Sequence, residues 1–351
     1  MKTLSAVLIA FGFLLILDFF VNPPVTVQQE YTNQGLKAPE LVGISGYINS
    51  DPSLSIASLK GKVVLVDFWT YSCINCLRTL PHEIDLYNKY GNNGLVIIGV
   101  HTPEFDFEKV YANVAKAVME NNIFYPVVLD NNYQTWSAFA NRFWPHKYLI
   151  DANGIVRYDV IGEGQYDVTE QHVRDLLLEA GYNVSDMNMS SLPDTTPNTI
   201  NTPELYLGYS FALPRGEDIG NTGGLNVGVV ANYSAPTSFS LNTVFLNGSW
   251  LSGSDSIISY SNDSSVFLYY SAKSVNIVSQ PSNYPVNFTI RLDGSYLTNS
   301  NAGVDVLFDG NVSYVTVSLP RLYNIVSTSY GYHTLNLTAD YGFQLNTFTF
   351  G

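Results

Sequence analysis

The sequence predicts an α/β domain followed by an all-β sandwich domain of jelly-roll type, both downstream of an apolar N-terminal helix. Three features of the chain point to it. Between residues 38 and 182, apolar runs of strand length alternate with segments of helical periodicity, the pattern of a sheet covered by helices. From 202 to 351, short runs of alternating polarity, such as 288–292 and 334–338, are separated by Gly, Asn and Ser turns, as in a sandwich. Between the two, 183–201 is rich in Ser, Thr, Asn and Pro and has no periodicity, the composition of a linker. A chain of 351 residues suits two domains of this size.

The elements follow in order. Lys2 precedes an apolar run from Leu4 to Val21, broken only by Ser5, Gly12 and Asp18 and followed by Asn22-Pro23-Pro24. At about 1.5 Å per residue this helix is about 27 Å long, close to the roughly 30 Å hydrocarbon core of a bilayer. No small-x-small cleavage site follows it, so 1–22 reads as an uncleaved signal anchor and 23–37 as the connection to the first domain. Lys2 stays on the cytoplasmic side by the positive-inside tendency, which makes the protein a single-pass cell-membrane protein with its bulk extracytoplasmic. Within the first domain the expected strands are 63–68, 95–100, 125–129, 147–150 and 155–159. The last two are joined by the turn Asp151-Ala152-Asn153-Gly154. The expected helices are 76–90, 105–120 and 133–142, with Pro81 predicted to kink the first by removing an internal hydrogen bond. Asp167 and Glu170 form an N-cap and N3 pair for a last helix that stops before Gly181.

The chain has two cysteines, Cys73 and Cys76, spaced C-x-x-C where the strand 63–68 gives way to a helix. A thiol at a helix N-terminus faces unpaired backbone N–H groups and the positive end of the helix dipole, so its thiolate is favoured. Cys73 is therefore the expected nucleophile, forming a mixed disulfide with a partner. Cys76, one turn deeper, is the expected resolving thiol, leaving a Cys73–Cys76 redox disulfide. Asp67, on the strand six residues earlier, is placed to take the proton that a buried thiol must lose. Zinc needs two more ligands, and His82, His101, His146, His172 and His333 form no tight pair, so no metal is expected. Leu77 follows Cys76 where covalent haem attachment wants His. A structural disulfide three residues apart would close almost no loop. No cofactor is expected.

Net charge is −14, with 16 basic residues, so there is no basic stripe for phosphates and nucleic acid is excluded as a partner. After residue 182 the only basic side chains are Arg215, Lys273, Arg291 and Arg321, and uncharged polar residues replace them. The same region holds sequons at Asn183, Asn188, Asn232, Asn247, Asn262, Asn287, Asn311 and Asn336, compatible with an exported, glycosylated domain.

At this point the residues reach a family resemblance. The run from Gly61 to Tyr71 into Cys73-Ile74-Asn75-Cys76, the segment Gly99 to Phe105, Trp144-Pro145 before Tyr148-Leu149-Ile150-Asp151, and Gly162-Glu163-Gly164-Gln165-Tyr166 resemble the extracytoplasmic region of DipZ-type thiol–disulfide proteins. These belong to the wider TlpA-like and cytochrome-c-biogenesis thioredoxins. Thr202 to Tyr209 and Phe348-Thr349-Phe350-Gly351 resemble that family's C-terminal module, a carbohydrate-binding-module-like β-sandwich. The resemblance implies a thioredoxin-like fold and a disulfide reductase working in redox maintenance or cytochrome c maturation, with disulfide-containing proteins as substrates. It further implies that Pro145 is a cis-proline facing the dithiol and that Trp144 pairs with the substrate segment. Family members carry a multi-span electron-delivering domain. This sequence has one hydrophobic segment, so a separate membrane electron donor is expected. TlpA-like reductases often place Glu three residues after the second cysteine. Thr79 stands there, which leaves proton handling to Asp67.

Other residues are weaker candidates. His101 ends a strand on the dithiol side with Glu104 close behind, and both are candidates for tuning the thiols. His146, next to Pro145, would stabilise the Cys73 thiolate if it faces inward. Trp69 is expected as core or as a wall of the substrate site, and Arg78 and His82 as solvated. Two alternatives stand beside the reductase. A thiol peroxidase-like redoxin would use P-x-x-x-T-x-x-C, and Thr70 fits while Val66 replaces the proline. A non-enzymatic cell-surface module would bind glycan or protein through exposed aromatics such as Trp250, Tyr269 and Tyr270.

Overall fold

The computed structural model describes residues 27–30, 35–199 and 201–351, so the predicted anchor 1–22 lies outside the described residues. Among the described residues no helix is long and apolar enough to cross a membrane. They fall into two compact units, the first Thr26–Thr196 and the second built on Pro197–Gly351.

The first unit is thioredoxin-like. Its strands are β1 (Val27–Glu30), β2 (Gly46–Ile48), β3 (Val63–Trp69), β4 (Leu95–His101), β5 (Val127–Leu129), β6 (His146–Ile150) and β7 (Val156–Ile161). Its helices are α1 (Ile74–Tyr90), α2 (Tyr111–Glu120), α3 (Gln134–Ala138) and α4 (Tyr166–Glu179). The sheet runs in the order β1-β7-β6-β3-β4-β5-β2. β3, β4 and β5 are mutually parallel, β6 is antiparallel to β3, and β7 is antiparallel to β6. All seven residues of β3 are buried, because the strand lies mid-sheet with both faces covered, hence its continuous rather than alternating apolar run.

Three elements differ from the sequence expectation for identifiable reasons. The helix read over 105–120 is broken into a short turn, Asp106–Lys109, and α2, with Val110 extended between them (φ −80°, ψ 114°). The break coincides with Glu108, whose carboxylate turns back to accept the N–H groups of Glu104 and Phe105. The Asp167–Glu170 cap does not form. Gln165 occupies the cap position with φ 52° and no side-chain bond, while Glu170 is buried and accepts from Tyr90 Oη at 2.6 Å and Ser190 N at 2.7 Å. The stretch read as linker from 183 begins by packing on this unit. Val184 is buried, and Arg174 donates to the carbonyls of Met187 and Ser185.

Among the described residues the second unit has one short α-helix, α5 (Tyr209–Ala212), and eleven strands. These are β8 (Leu205–Tyr206), β9 (Val230–Tyr233), β10 (Thr243–Ser252), β11 (Ile257–Ser259), β12 (Ser264–Pro281), β13 (Val286–Leu292), β14 (Ser295–Tyr296), β15 (Leu307–Asp309), β16 (Val312–Val317), β17 (Arg321–Ala339) and β18 (Phe343–Phe350). β12 and β17 pair along most of their length, with register shifts between Ala272 and Ser274 and between Val275 and Asn276. On its other edge β12 pairs with β10 before these bulges and with β18 after them, and β11 links β10 to β18. Instead of two separate sheets, the unit is therefore one antiparallel sheet folded over on itself, with long strands shared between its halves. Its core contains Trp250, Tyr270, Phe288, Phe343 and Phe348. Trp250 and Tyr270 are fully buried and so are not exposed platforms for a sugar, and Trp250 Nε1 donates to Asn247 O at 2.9 Å. Tyr269 is half-buried, 6.1 Å from Tyr332 ring to ring.

Gly208 is sequestered under Asp255: a Cβ there would lie 2.2 Å from the Asp255 carbonyl carbon, which is backbone and cannot swing away. Gly208→Ala is expected to destabilise the second unit by about 1–3 kcal/mol, measured by calorimetry against the parent chain.

Candidate active site

The site grows out of the end of β3. After Trp69 the chain turns through Thr70, Tyr71 and Ser72 and enters α1 with Cys73 at its N-cap (φ −79°, ψ 117°). Cys73 Sγ accepts the N–H of Cys76 at 3.3 Å, one of the donors that the first turn of a helix leaves without a backbone partner. An N–H aimed at sulfur and the adjacent helix dipole both favour negative charge there. Both cysteines are free thiols, Cys73 with 8% of its surface exposed and Cys76 with 1%. Burial first, then the hydrogen bond and charge of Cys73 and the charge of Asp67, push the Cys76 thiol well above its ordinary pKa. It therefore stays protonated until a base acts on it.

The turn leading into Cys73 is held from β4 and from the segment after it. Thr70 Oγ1 lies 3.3 Å from His101 Nε2, and Tyr71 stacks on the His101 ring at 5.6 Å. Ser72 Oγ donates to Glu108 Oε1 at 2.5 Å, while Glu108 Oε2 takes the backbone N–H of Glu104 at 2.6 Å and of Phe105 at 3.0 Å. Burial pushes the Glu108 carboxyl up against the opposing pull of these hydrogen bonds. Burial also pushes His101 down to about 3, so it is a neutral imidazole. Glu104 enters this network through its backbone N–H. Glu108 is a residue that sequence reasoning missed, since an acid inside a predicted helix looks like a solvated one.

The Trp144–Pro145 peptide bond is cis. β3 pairs with β6 so that Phe68 faces His146, which sets Pro145 beside the end of β3, where the chain leaves for Cys73. Trp144 is half-buried, donates from Nε1 to Thr102 O at 3.1 Å, and has its ring 4.2 Å from that of Trp136. Trp69 is different. It is fully buried, edge-on to His101 at 5.4 Å and tight against Gly99, so it is core and cannot touch a substrate. His146 has both ring nitrogens occupied, Nδ1 by Asn141 at 2.6 Å and Nε2 by Asp159 at 2.9 Å, and burial holds its pKa down. It braces β6 against β7.

Two residues expected to be solvated are structural. Arg78 forms a bidentate pair with the buried Glu163, at 2.6 and 2.7 Å, and donates to Asn75 Oδ1 at 2.7 Å, tying the segment between the cysteines to the loop before α4. Glu163 bonding outweighs burial and holds the Arg78 pKa up, and the Cys73 charge adds to it. His82 is buried, stacked on Tyr166 at 3.5 Å.

Asp67 is buried on β3, and two further charged side chains are buried with it. Lys147, its cross-strand partner on β6, places Nζ 3.6 Å from Asp67 Oδ1 and 3.4 Å from Glu83 Oε1. Tyr125 donates to Glu83 Oε2 at 3.1 Å. Burial, and next the Glu83 charge, raise the Asp67 carboxyl well above the ordinary carboxylate range, with Lys147 pulling the other way. Burial opposes charge on Lys147, but Asp67 and Glu83 outweigh it and hold its pKa above the ordinary lysine value. The signal for Glu83 was its spacing: seven residues after Cys76, two helical turns along the same face. Among the described residues no group of His, Cys, Asp and Glu is arranged to hold a metal ion.

Residues 35–159 match the family model described as AhpC/TSA family, and residues 202–351 match one described as thioredoxin like C-terminal domain. Protein DipZ of Mycobacterium tuberculosis is 38% identical over 320 residues, which cover 90% of this chain and 43% of that protein. The chain is a homologue of DipZ. It spans less than half the length of DipZ, and the likeness takes in both units. Thiol-disulfide oxidoreductase ResA of Bacillus anthracis is 27% identical over 169 residues, covering 48% of this chain and 88% of that protein. NHL repeat-containing protein 2 of Homo sapiens is 37% identical over 136 residues, 38% of this chain and 19% of that one.

Two measurements probe this architecture. His101 in the folded protein binds its proton only near pH 3, whereas the unfolded chain takes it near 6.5. Its contribution to stability is thus full above pH 6.5 and is lost as pH falls toward 3. Urea unfolding of His101→Gln at pH 7 and pH 4 should show a smaller loss on acidification than the parent, with the part due to His82 and His146 retained. Glu108→Ala strands the buried Ser72 hydroxyl, the buried Phe105 N–H and the half-buried Glu104 N–H, and should cost about 3 kcal/mol in the same assay.

Proposed function

We propose that the chain is an extracytoplasmic thiol–disulfide oxidoreductase acting chiefly as a disulfide reductase. The observation that carries this is the Cys73–Cys76 pair: an N-cap sulfur receiving a helix N–H, and a deeper thiol held protonated beside Asp67. The ResA and DipZ likenesses support it.

The reaction follows from the geometry. Cys73 thiolate attacks one sulfur of a substrate disulfide, forming a mixed disulfide while the other substrate sulfur leaves as thiolate and takes a proton. Cys76 gives its proton to Asp67 and attacks Cys73 Sγ. The Cys73–Cys76 disulfide forms, and the second substrate sulfur leaves as a thiolate that takes a proton from solvent. Two electrons have passed from the dithiol to the substrate. Trp144, beside the cis bond, offers backbone to the substrate segment. A separate membrane protein would return the electrons, and the apolar run 4–21 would hold the chain at the outer face of the cell membrane. Redox maintenance of exported proteins and cytochrome c maturation are the processes this chemistry suits.

Insulin disulfide reduction by the chain should be abolished in Cys73→Ser, while Cys76→Ser should accumulate a covalent substrate adduct visible on a non-reducing gel. Equilibration of the parent with redox buffers should give a potential below about −220 mV. A value above about −150 mV would make it an oxidant, and the absence of a two-electron couple would end the reading altogether. The AhpC/TSA match makes hydrogen peroxide a substrate to run beside insulin. Thr70, the hydroxyl a peroxidatic site would use, is engaged by His101.

A further inference from the structure

The charges around Asp67 come in a set of three, and two of its members have no assigned part in the chemistry. Lys147 lies between the two carboxylates, 3.6 Å from Asp67 and 3.4 Å from Glu83, and all three side chains are at least nine-tenths buried. Around them stand Cys76 from α1, Tyr125 from the segment entering β5, and Tyr166 at the start of α4. With both carboxylates ionised and the ammonium protonated, the set sums to one negative charge, and one proton brings it to zero.

Each member can be removed in thought. Without Glu83, Asp67 and Lys147 would already form a neutral pair, and a carboxylate that close to an ammonium is a weak base. Without Lys147, two carboxylates at low dielectric would hold a proton so firmly that neither would be free to accept one from a thiol near neutral pH. We propose that Glu83 and Lys147 are matched positioning residues for the resolving step, Glu83 cancelling the lysine charge so that Asp67 is a base strong enough to take the Cys76 proton. This rests on the oxidoreductase reading above. The proton leaves Cys76 Sγ for the Asp67 carboxylate as the Cys76–Cys73 sulfur bond forms and the substrate thiolate departs. A cavity lined by Thr79, His82, Glu83, Lys147, Tyr166 and Glu170 adjoins two of the three, Glu83 and Lys147, and the proton is lost on that side of the set before the next turnover.

The test reads Asp67 directly. The full chain, reduced and labelled with carboxyl-¹³C aspartate, is titrated by NMR, with Asp67→Asn assigning the resonance. Glu83→Gln should move the Asp67 midpoint down by about 1–3 pH units and Lys147→Met should move it up by a similar amount, while the double variant should return it toward the parent value because the two lost charges cancel. The acid limb of the pH profile for insulin reduction should shift in the same directions. An Asp67 midpoint unmoved by Glu83→Gln, or moved the same way by both single variants, would overturn the proposal. If Lys147→Met does not fold, Glu83→Gln and the double variant still decide by displacement and return. A parent chain that does not reduce insulin would instead defeat the oxidoreductase reading, leaving the titration result to stand or fall by itself.

Discussion

An acid in the middle of a fully buried strand has to be answered by its neighbours, and Asp67 imposes that demand on the whole first unit. Burial alone would cost several kcal/mol for an isolated charge, so the surrounding elements arrive carrying partners. β6 supplies Lys147 because the antiparallel register sets it opposite Asp67, and α1 supplies Glu83 because it crosses over that point two turns after Cys76. Tyr125, on the way into β5, then anchors Glu83. The strand order around β3 and the chemistry of the dithiol are in this sense one constraint met by the same residues.

A second buried acid performs a different task a few residues away. Glu108 has hydrogen bonds instead of a cation: Ser72 from the turn before Cys73, and the N–H groups of Glu104 and Phe105. Where Asp67 lies beside the Cys76 thiol, Glu108 fixes the backbone that leads into Cys73. The Arg78–Glu163 pair does likewise from the other side, through Asn75. Three acids, each more than nine-tenths buried, thus frame a two-cysteine site.

Much of this was legible in the sequence. The C-x-x-C at a strand–helix junction, the continuous apolar run of β3 and the alternation of elements up to 182 are local patterns, and they describe the first unit well. What was illegible is pairing at a distance. Nothing local in the sequence marks Glu83, Glu108 and Glu163 as partners of Lys147, Ser72 and Arg78; only the fold brings them together. Trp69 read as core or site wall, and it is core because β3 is covered on both faces. Glu170 has the spacing of a capping box, yet Tyr90 and Ser190 outbid the local bond from opposite ends of the unit. In the second unit short runs suggested two sheets, whereas bulges in β12 let a single sheet turn over, and a bulge leaves no clear mark in composition.

The closure of the second unit bears on how it matures. β8 is its first strand and pairs with β18, Leu205 meeting Phe348, and the second half of β12, from Val275 to Pro281, pairs on one edge with the same final strand. No stretch of this unit short of β18 can complete its core, so during vectorial synthesis it waits for its whole length, while the first unit has all of its strands by residue 161. Contacts so remote in sequence also make for slow folding. The unit that carries the two cysteines would thus be assembled first, with unpaired strands still emerging behind it.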